Sequence, residues 1–211
     1  MIIDRDAFLG MAFSENGVYA ENSEYYLRAI LPSDRANYIS IFKGKPEWKE
    51  LFANLDLNTE ERLWNTFNNP ETLNVIIIRK QDDAFCGFCG LQQYAISKKP
   101  EISIEVVERY QNQGVGTAAL RLLIQRFAAI SDTREFISKV SCGNIASQRL
   151  MRRLGGRADG VTLFPGISEE VAQMMEERDY PLPENVEALA EEFRTTPRQL
   201  KSHVLVFRFS V

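Results

Sequence analysis

The sequence predicts a mixed α/β fold of the α+β kind, and three observations carry that prediction. Short β-branched or alternating runs such as "LNVIIIRK" and "EISIEVV" recur between stretches with helical apolar spacing. The segments run strand, helices, three strands, a glycine-bearing turn with its helix, then strand, helix and final strand. Pairing is therefore meander-like in the middle and crosses over afterwards. The 211 residues, 45% hydrophobic and 26% charged, suit one globular domain of generous size.

Taken in order, residues 1–22 show no strong element and are set aside as an N-terminal extension, leaving a single domain over 23–211. "EYYLRAI" (Glu24–Ile30) is the first strand. Pro32 and Ser33 then open a helix through "RANYISIF". "EWKELFANL" (Glu47–Leu55) places Trp48, Leu51, Phe52 and Leu55 on one helical face. "TEERLWNTFNNP" is a further helix, stopped by Asn69-Pro70. Three strands follow: "LNVIIIRK", "AFCGFCGLQQYAI" after the Asp82-Asp83 turn, and "EISIEVV" after "SKKP". The glycine turn leads into the helix "TAALRLLIQRFAAI". "EFISKVS" is a strand, and "NIASQRLMRRLGG" a short helix with Asn144 as cap and Gly155-Gly156 as stop. A glutamate-rich helical insert at about 168–201, broken by Pro181 and Pro183, precedes the terminal strand "SHVLVFRFSV".

Bulk properties narrow the function. The net charge of -4, from 25 basic and 29 acidic residues, lacks the basic excess of a nucleic-acid binder and is compatible with a cationic substrate. No apolar run approaches the ~18–20 residues of a membrane span. The acidic residues of "MIIDRDAFLG" argue against a signal peptide, so the expected location is cytoplasmic. Cys86, Cys89 and Cys142 do not suggest a disulfide framework. Cys86 and Cys89 are three apart on a strand, which turns them to opposite faces, and one His in the chain leaves no partner set for a metal. They are expected to be packed strand cysteines.

The informative stretch is "ERYQNQGVGTAAL" (Glu108–Leu120). Glycine tolerates positive φ and lets backbone N–H groups come close to a ligand. A glycine turn feeding a helix N-terminus gathers free donors and the positive end of the helix dipole, which makes an anion site. Gly114-x-Gly116-x-x-Ala119 also fits a dinucleotide fingerprint, but Asp132 lies before the next strand, where it is poorly placed for a ribose. No Lys-Ser or Lys-Thr follows Gly116, so the Walker pattern fails.

A third pattern covers more of the chain. Gln111-Asn112-Gln113-Gly114-Val115-Gly116, between a strand and a helix, resembles the acetyl-CoA signature Q/R-x-x-G-x-G/A of the GNAT N-acyltransferase superfamily. Asn144, Ser147, Leu150, Leu154 and Gly155 resemble the family's later helix block. "YYLRAILPSDRANYISIF" looks like its first strand and helix, closest to the branch of ribosomal-protein N-terminal acetyltransferases. The resemblance runs from about Tyr25 to Val161, and includes the last strand. It implies a mixed central sheet splayed at a β-bulge and flanked by helices, with acetyl-CoA as co-substrate and no metal. The implied cofactor contacts are the N–H groups from Gln113 through Thr117 (with Gly114, Val115 and Gly116 between), the flanking Gln111 and Asn112, Val106 and Val107 on the splayed strand, and Asn144 and Ser147.

Transfer of an acetyl group to an amine requires a free lone pair, so an ammonium of pKa ~10 must first lose a proton, usually to a carboxylate. On "EISIEVV", Glu101, Ser103 and Glu105 share one face and Ile102, Ile104 and Val106 the other. Glu105 is the first candidate base and Glu101 the second; a solvated strand face is the alternative. Many relatives carry a Tyr where this chain has Met151, as the acid for the leaving thiolate. Here another group or water fills that role, or the thiolate leaves unprotonated. Met151 itself is expected to pack in the core. Arg149, Arg152 and Arg153 form either a solvated basic face or a contact for the 3′-phosphate, and His203 receives no role. The insert is either an acidic lobe that attracts a cationic acceptor or two helices with solvated faces. The expected activity is acetyl transfer from acetyl-CoA to a primary amine, on a peptide or protein N-terminus or on a small molecule, by direct attack. The alternative is an acyl-CoA-binding sensor or partner module without turnover. Neither nucleic acid nor membrane is an expected partner, and the chain is expected to be a monomer or homodimer.

Overall fold

The computed structural model describes residues 4–43, 57–179 and 181–211. The helix expected over Glu47–Leu55 lies outside them. The chain divides into two compact units, residues 1–134 with Val211, and residues 135–210.

The first unit holds α1 (Arg5–Ala12), β1 (Val18–Glu21), β2 (Tyr25–Arg28), α2 (Arg35–Lys43), α3 (Leu57–Phe67), β3 (Thr72–Arg79), β4 (Ala84–Gln92), β5 (Glu101–Val106) and α4 (Val115–Ile130). Its five strands pair antiparallel in chain order, as a meander. Register sorts the side chains onto two faces. Leu73, Leu91 and Ile102 share one with Val75, Ile77 and Cys89. α4 covers that face with Val115, Ala119, Leu120, Leu123, Ile124 and Phe127, all buried. Each fully buried Leu, Ile or Phe contributes ~1.5–3 kcal/mol, so this helix is fixed by its packing. The opposite face carries Ile76, Ile78 and Phe88, which cluster with Tyr38 and Ile39 of α2 and Phe67 of α3.

The first 22 residues hold a helix and a strand that their sequence did not announce. α1 is capped by Asp4, whose carboxylate accepts from Ala7 N–H. Its Phe8 packs between Tyr94 and Phe127, at 5.3 and 5.2 Å between ring centroids. Arg126 of α4 donates through Nη2 to the carbonyl of Met11 at 2.7 Å, satisfying an orphan acceptor at the end of α1.

Two local constraints shape this unit. Arg28 forms a fork with Asp34, two bonds of 2.7 Å, and Leu31 N–H donates to the same carboxylate at 2.8 Å. Burial of Asp34 opposes its charge, but the bonds from Arg28, the Leu31 N–H and the Arg28 charge outweigh burial and hold its pKa below the ordinary 3.8. The other constraint is in β4. Ile77 pairs with Gly87 and Ile78 with Phe85, so Cys86 is an extra residue and β4 bulges there. A Cβ on Gly87, at φ 143°, would lie 2.1 Å from the carbonyl oxygen of Glu105. Only glycine lets β4 approach β5 at this point. Cys86 and Cys89 are both buried and free, as expected of packed strand cysteines, and burial raises both thiol pKa values.

The second unit holds β6 (Glu135–Val140), α5 (Ile145–Arg153), β7 (Arg157–Leu163), α6 (Glu169–Glu177), α7 (Val186–Glu192) and β8 (His203–Ser210). β8 lies between β6 and β7, antiparallel to both. The insert is helical, as expected. Ser168 caps α6 through Val171 N–H, and Glu176 accepts from Ser202 Oγ at 2.7 Å, which ties α6 to the start of β8. Arg152 bonds Glu192 at 2.6 Å, and Phe193 meets Phe207 edge-on at 5.0 Å. Several glutamates of the lobe are thus engaged inside this unit.

Two stability outcomes follow. Gly87→Ala should lower unfolding free energy by at least about 3 kcal/mol, because the clash is with backbone in a packed sheet. Gly114→Ala, strained at φ 85° but with nothing within 4 Å of the new Cβ, should cost only ~1 kcal/mol; urea midpoints of the two variants compare them directly. Asp34, with its folded pKa depressed, adds stability that is present above its unfolded pKa and is lost as pH falls through the folded value. Melting temperatures of the native chain and Asp34→Asn should therefore differ at pH 6 and converge below pH 3.8. A gap that stays constant down to pH 2 contradicts this account.

Candidate active site

The turn before α4 is compact and internally braced. Tyr110 N–H donates to Val107 carbonyl at 2.8 Å, and Gln111 N–H to Glu108 carbonyl at 3.0 Å. Tyr110 is buried with the guanidinium groups of Arg79 and Arg109 each 4.8 Å from its ring centroid. Gln111 Nε2 donates to Val106 carbonyl at 3.0 Å and Gln113 Nε2 to Arg109 carbonyl at 2.7 Å. The two glutamine side chains on this turn therefore serve to hold its shape. Asn112, at φ 59°, takes the left-handed conformation that Asn tolerates better than most residues.

Gly114 is the N-cap of α4, at φ 85° and ψ −10°, and supplies no side-chain cap. The first intrahelical bond runs from Ala118 N–H to Gly114 carbonyl at 3.0 Å. The N–H groups of Val115, Gly116 and Thr117 precede it and have no acceptor within the helix. Val115 is buried and anchors the first turn, while Gly116 and Thr117 are half-buried. The result is a set of donors at the positive end of a 16-residue helix, suited to a phosphate.

The end of β5 stands beside this turn in sequence. Val107 N–H donates to Cys86 carbonyl at 2.9 Å, and Val107 carbonyl accepts from Tyr110. Since antiparallel pairs alternate between bonded and non-bonded, Val106, one residue earlier, turns its N–H and C=O away from β4. Its carbonyl takes the Gln111 amide, while its N–H has no partner in β4. The irregular register nearest to Val106 lies on the partner strand, at Cys86–Gly87.

Glu101, Ser103 and Glu105 do share a face, and all three are half-buried. That face is not bare. Glu105 pairs across the sheet with Phe88, a member of the aromatic cluster under α2 and α3, whereas Glu101 pairs with Gln92. Tyr38 packs on Phe88 at 5.1 Å and stacks on Phe67 at 4.1 Å. Burial first, and the Glu105 charge second, push the Tyr38 pKa up to about 12. Sequence reading placed Tyr38 on a helix and attached nothing more to it, because its link to Glu105 passes through three elements.

In the second unit, Asn144 is exposed and caps α5, its side-chain oxygen accepting from Ser147 N–H at 3.0 Å. Gln148, buried, donates to Cys142 carbonyl at 2.7 Å and braces this loop, a role its sequence position did not signal. Met151 is buried, as expected of core packing. Arg152 is committed to Glu192 and the face of Phe207, while Arg149 and Arg153 are exposed. His203 Nδ1 lies 2.7 Å from Ser202 Oγ and 3.9 Å from Glu176, at the base of the insert.

A model of the acetyltransferase (GNAT) domain matches residues 25–157. The chain belongs to the GNAT acetyltransferase family. It is an acetyl-CoA-dependent N-acyltransferase, with acetyl-CoA as co-substrate. Solved structures share the fold. One is the ribosomal L7/L12 alpha-N-protein acetyltransferase RimL in complex with coenzyme A, 16% identical over 92% of this chain and 98% of its own, with a TM-score of 0.61. Another is the microcin C7 self-immunity acetyltransferase MccE with acetyl-CoA and AMP, 15% identical, covering 95% and 99%, at 0.61. A third is spermidine N-acetyltransferase from Vibrio cholerae with CoA and spermine, 13% identical, covering 90% and 96%, at 0.60. No curated protein sequence matches the chain. Among the described residues, no helix is long and apolar enough to cross a membrane.

The turn fits this co-substrate, since it offers an uncapped helix end and a left-handed glycine where a diphosphate needs close approach. In a GNAT chain built this way, Gly114→Val should lower acetyl-CoA affinity at least ~10-fold, equivalent to ~1.4 kcal/mol, without loss of helical content by circular dichroism. Unchanged affinity by calorimetry would remove the turn from cofactor binding.

Proposed function

We propose that the protein acetylates a primary amine, on a peptide or protein N-terminus or on a small molecule, by direct attack on acetyl-CoA. The observation that carries this reading lies within one unit. The uncapped start of α4, the outward N–H of Val106 and the half-buried carboxylate of Glu105 follow one another along the chain from β5 into α4. The donors of Val115, Gly116 and Thr117 hold the diphosphate, with Gln111, Asn112 and Gln113 shaping the turn. Val106 and Val107 form the strand end along which the pantetheine arm extends. The N–H of Val106 stabilises negative charge developing on the thioester oxygen.

Acetyl-CoA supplies an activated acyl carbon with a thiolate leaving group. Glu105 removes one proton from the acceptor ammonium, and the free lone pair then forms the N–C bond as the C–S bond breaks. The second nitrogen proton leaves after attack and ends on the thiolate, giving the thiol. Glu101, two positions further back on the same face, is the second candidate for the base. Relatives of the same fold are named for a ribosomal-protein N-terminus and for spermidine, which supports an amine acceptor of either kind.

Glu105→Gln keeps size and removes the proton acceptor. Turnover at neutral pH should fall ~10²-fold or more, read as thiol release from acetyl-CoA in the presence of a peptide N-terminus or spermidine, with acetyl-CoA binding retained. Full activity in Glu105→Gln together with an inactive Glu101→Gln would transfer the role to Glu101. A chain that binds acetyl-CoA and turns over none of a broad amine panel would instead be a binding module.

A further inference from the structure

The aromatic cluster beside Glu105 contains a group that packing alone does not require. Tyr38 is 5% exposed, and its ring is held by four others: stacked on Phe67 at 4.1 Å, edge-on to Phe42 and Trp64 at 5.0 and 5.9 Å, and tilted on Phe88 at 5.1 Å. A phenylalanine ring would fill that place equally well. Tyrosine adds a hydroxyl, and the hydroxyls of largely buried tyrosines usually find a hydrogen-bond partner. The Tyr38 hydroxyl makes no hydrogen bond to another described residue, and it is not one of the enclosed polar atoms of the described residues, so its oxygen stays open to a ligand. Its ring lies on Phe88, and Phe88 is the residue directly across the sheet from Glu105.

Resting on the reading of Glu105 as the base, we propose that Tyr38 is a second acceptor-binding residue, its hydroxyl oxygen accepting an N–H of the acceptor amine beside the Glu105 carboxylate. The division of labour follows from the two groups' acidities. With its pKa pushed up to about 12 by burial and then by Glu105, Tyr38 stays neutral at working pH and cannot take the proton. Its lone pairs remain available to hold one N–H while the carboxylate removes another. Two fixed acceptors at one nitrogen orient the lone pair that results, which is the positioning that direct attack needs. The clamped ring gives the hydroxyl a defined place, since rotation of a side chain held by four rings would disturb the whole cluster.

Tyr38→Phe tests this with the ring packing preserved. For whichever acceptor in a panel of primary amines gives the fastest thiol release, kcat/KM should fall about 10-fold, the loss of one hydrogen bond. Melting temperature and acetyl-CoA affinity should be unchanged. The double variant Tyr38→Phe with Glu105→Gln should be no slower than Glu105→Gln alone, because both groups act on the same nitrogen. A second measurement needs no acceptor. In protein labelled with ¹³C at tyrosine Cζ, the Tyr38 signal, identified by its loss in Tyr38→Phe, should shift as the pH is lowered from neutral to acid, and that shift should vanish in Glu105→Gln. Undiminished kcat/KM in Tyr38→Phe, or a Tyr38 signal that ignores Glu105, overturns the proposal. Full activity in Glu105→Gln, by contrast, overturns the choice of base.

Discussion

The three amide hydrogens at the start of α4 have no acceptor within the helix or from its cap, and the residue at that cap is the same glycine that lets the chain turn into the helix. A serine or aspartate at position 114 would accept from one of them and stabilise the helix by ~1 kcal/mol; Gly114 does neither, and its φ of 85° is one that other residues adopt only with strain. An exposed helix end of this kind is tolerable because the rest of α4 is over-determined. Six of its residues are buried against the strands, and the turn before it is locked by Tyr110 and two glutamine amides. The donors are thus presented on a rigid support, so binding an anion there requires little ordering of the protein.

β5 connects the proposed anion site to the proposed base. On one side it is held to β4 so closely that Gly87 admits no side chain. Its final residues feed directly into the braced turn. Glu105 therefore sits on a backbone fixed from both ends, next to an aromatic layer that limits water on one side. A carboxylate in that position is partly desolvated yet remains reachable, the compromise a general base needs. The thiol of Cys86, at the bulge behind it, is buried, and burial raises its pKa.

Much of this was legible in the sequence because it is local. The β-branched run of β3, the alternation in β5, the glycine turn and the Asn144 cap each express a short-range rule. The misses share a different character. β7 carries Asp159 and Gly160 where its register shifts, which breaks the alternation that would reveal a strand. β1 is four residues long, too short to show a period. α1 has an apolar stripe that is meaningful only once Tyr94 and Phe127 are in place to receive Phe8. Tyr38 and Gly87 matter through neighbours 67 and 18 positions away, at Glu105. The carboxylate face was read correctly as a face, but α2 and α3, which roof it near Glu105, are long-range arrivals that no window of sequence contains.

The position of α1 also separates two notions of where this domain starts. Likeness to the family begins at residue 25. Physical integrity begins earlier, because Phe8 plugs a socket on the rear of α4 and Arg126 ties the last carbonyls of α1 to that same helix. A chain trimmed to the family boundary would uncover Tyr94 and Phe127 and leave the Arg126 guanidinium without those acceptors. The damage would fall on the back of the helix whose front end is proposed to hold the diphosphate. Segments outside a family's shared motifs are often dismissed as decoration; here one of them is part of the foundation under the proposed cofactor site.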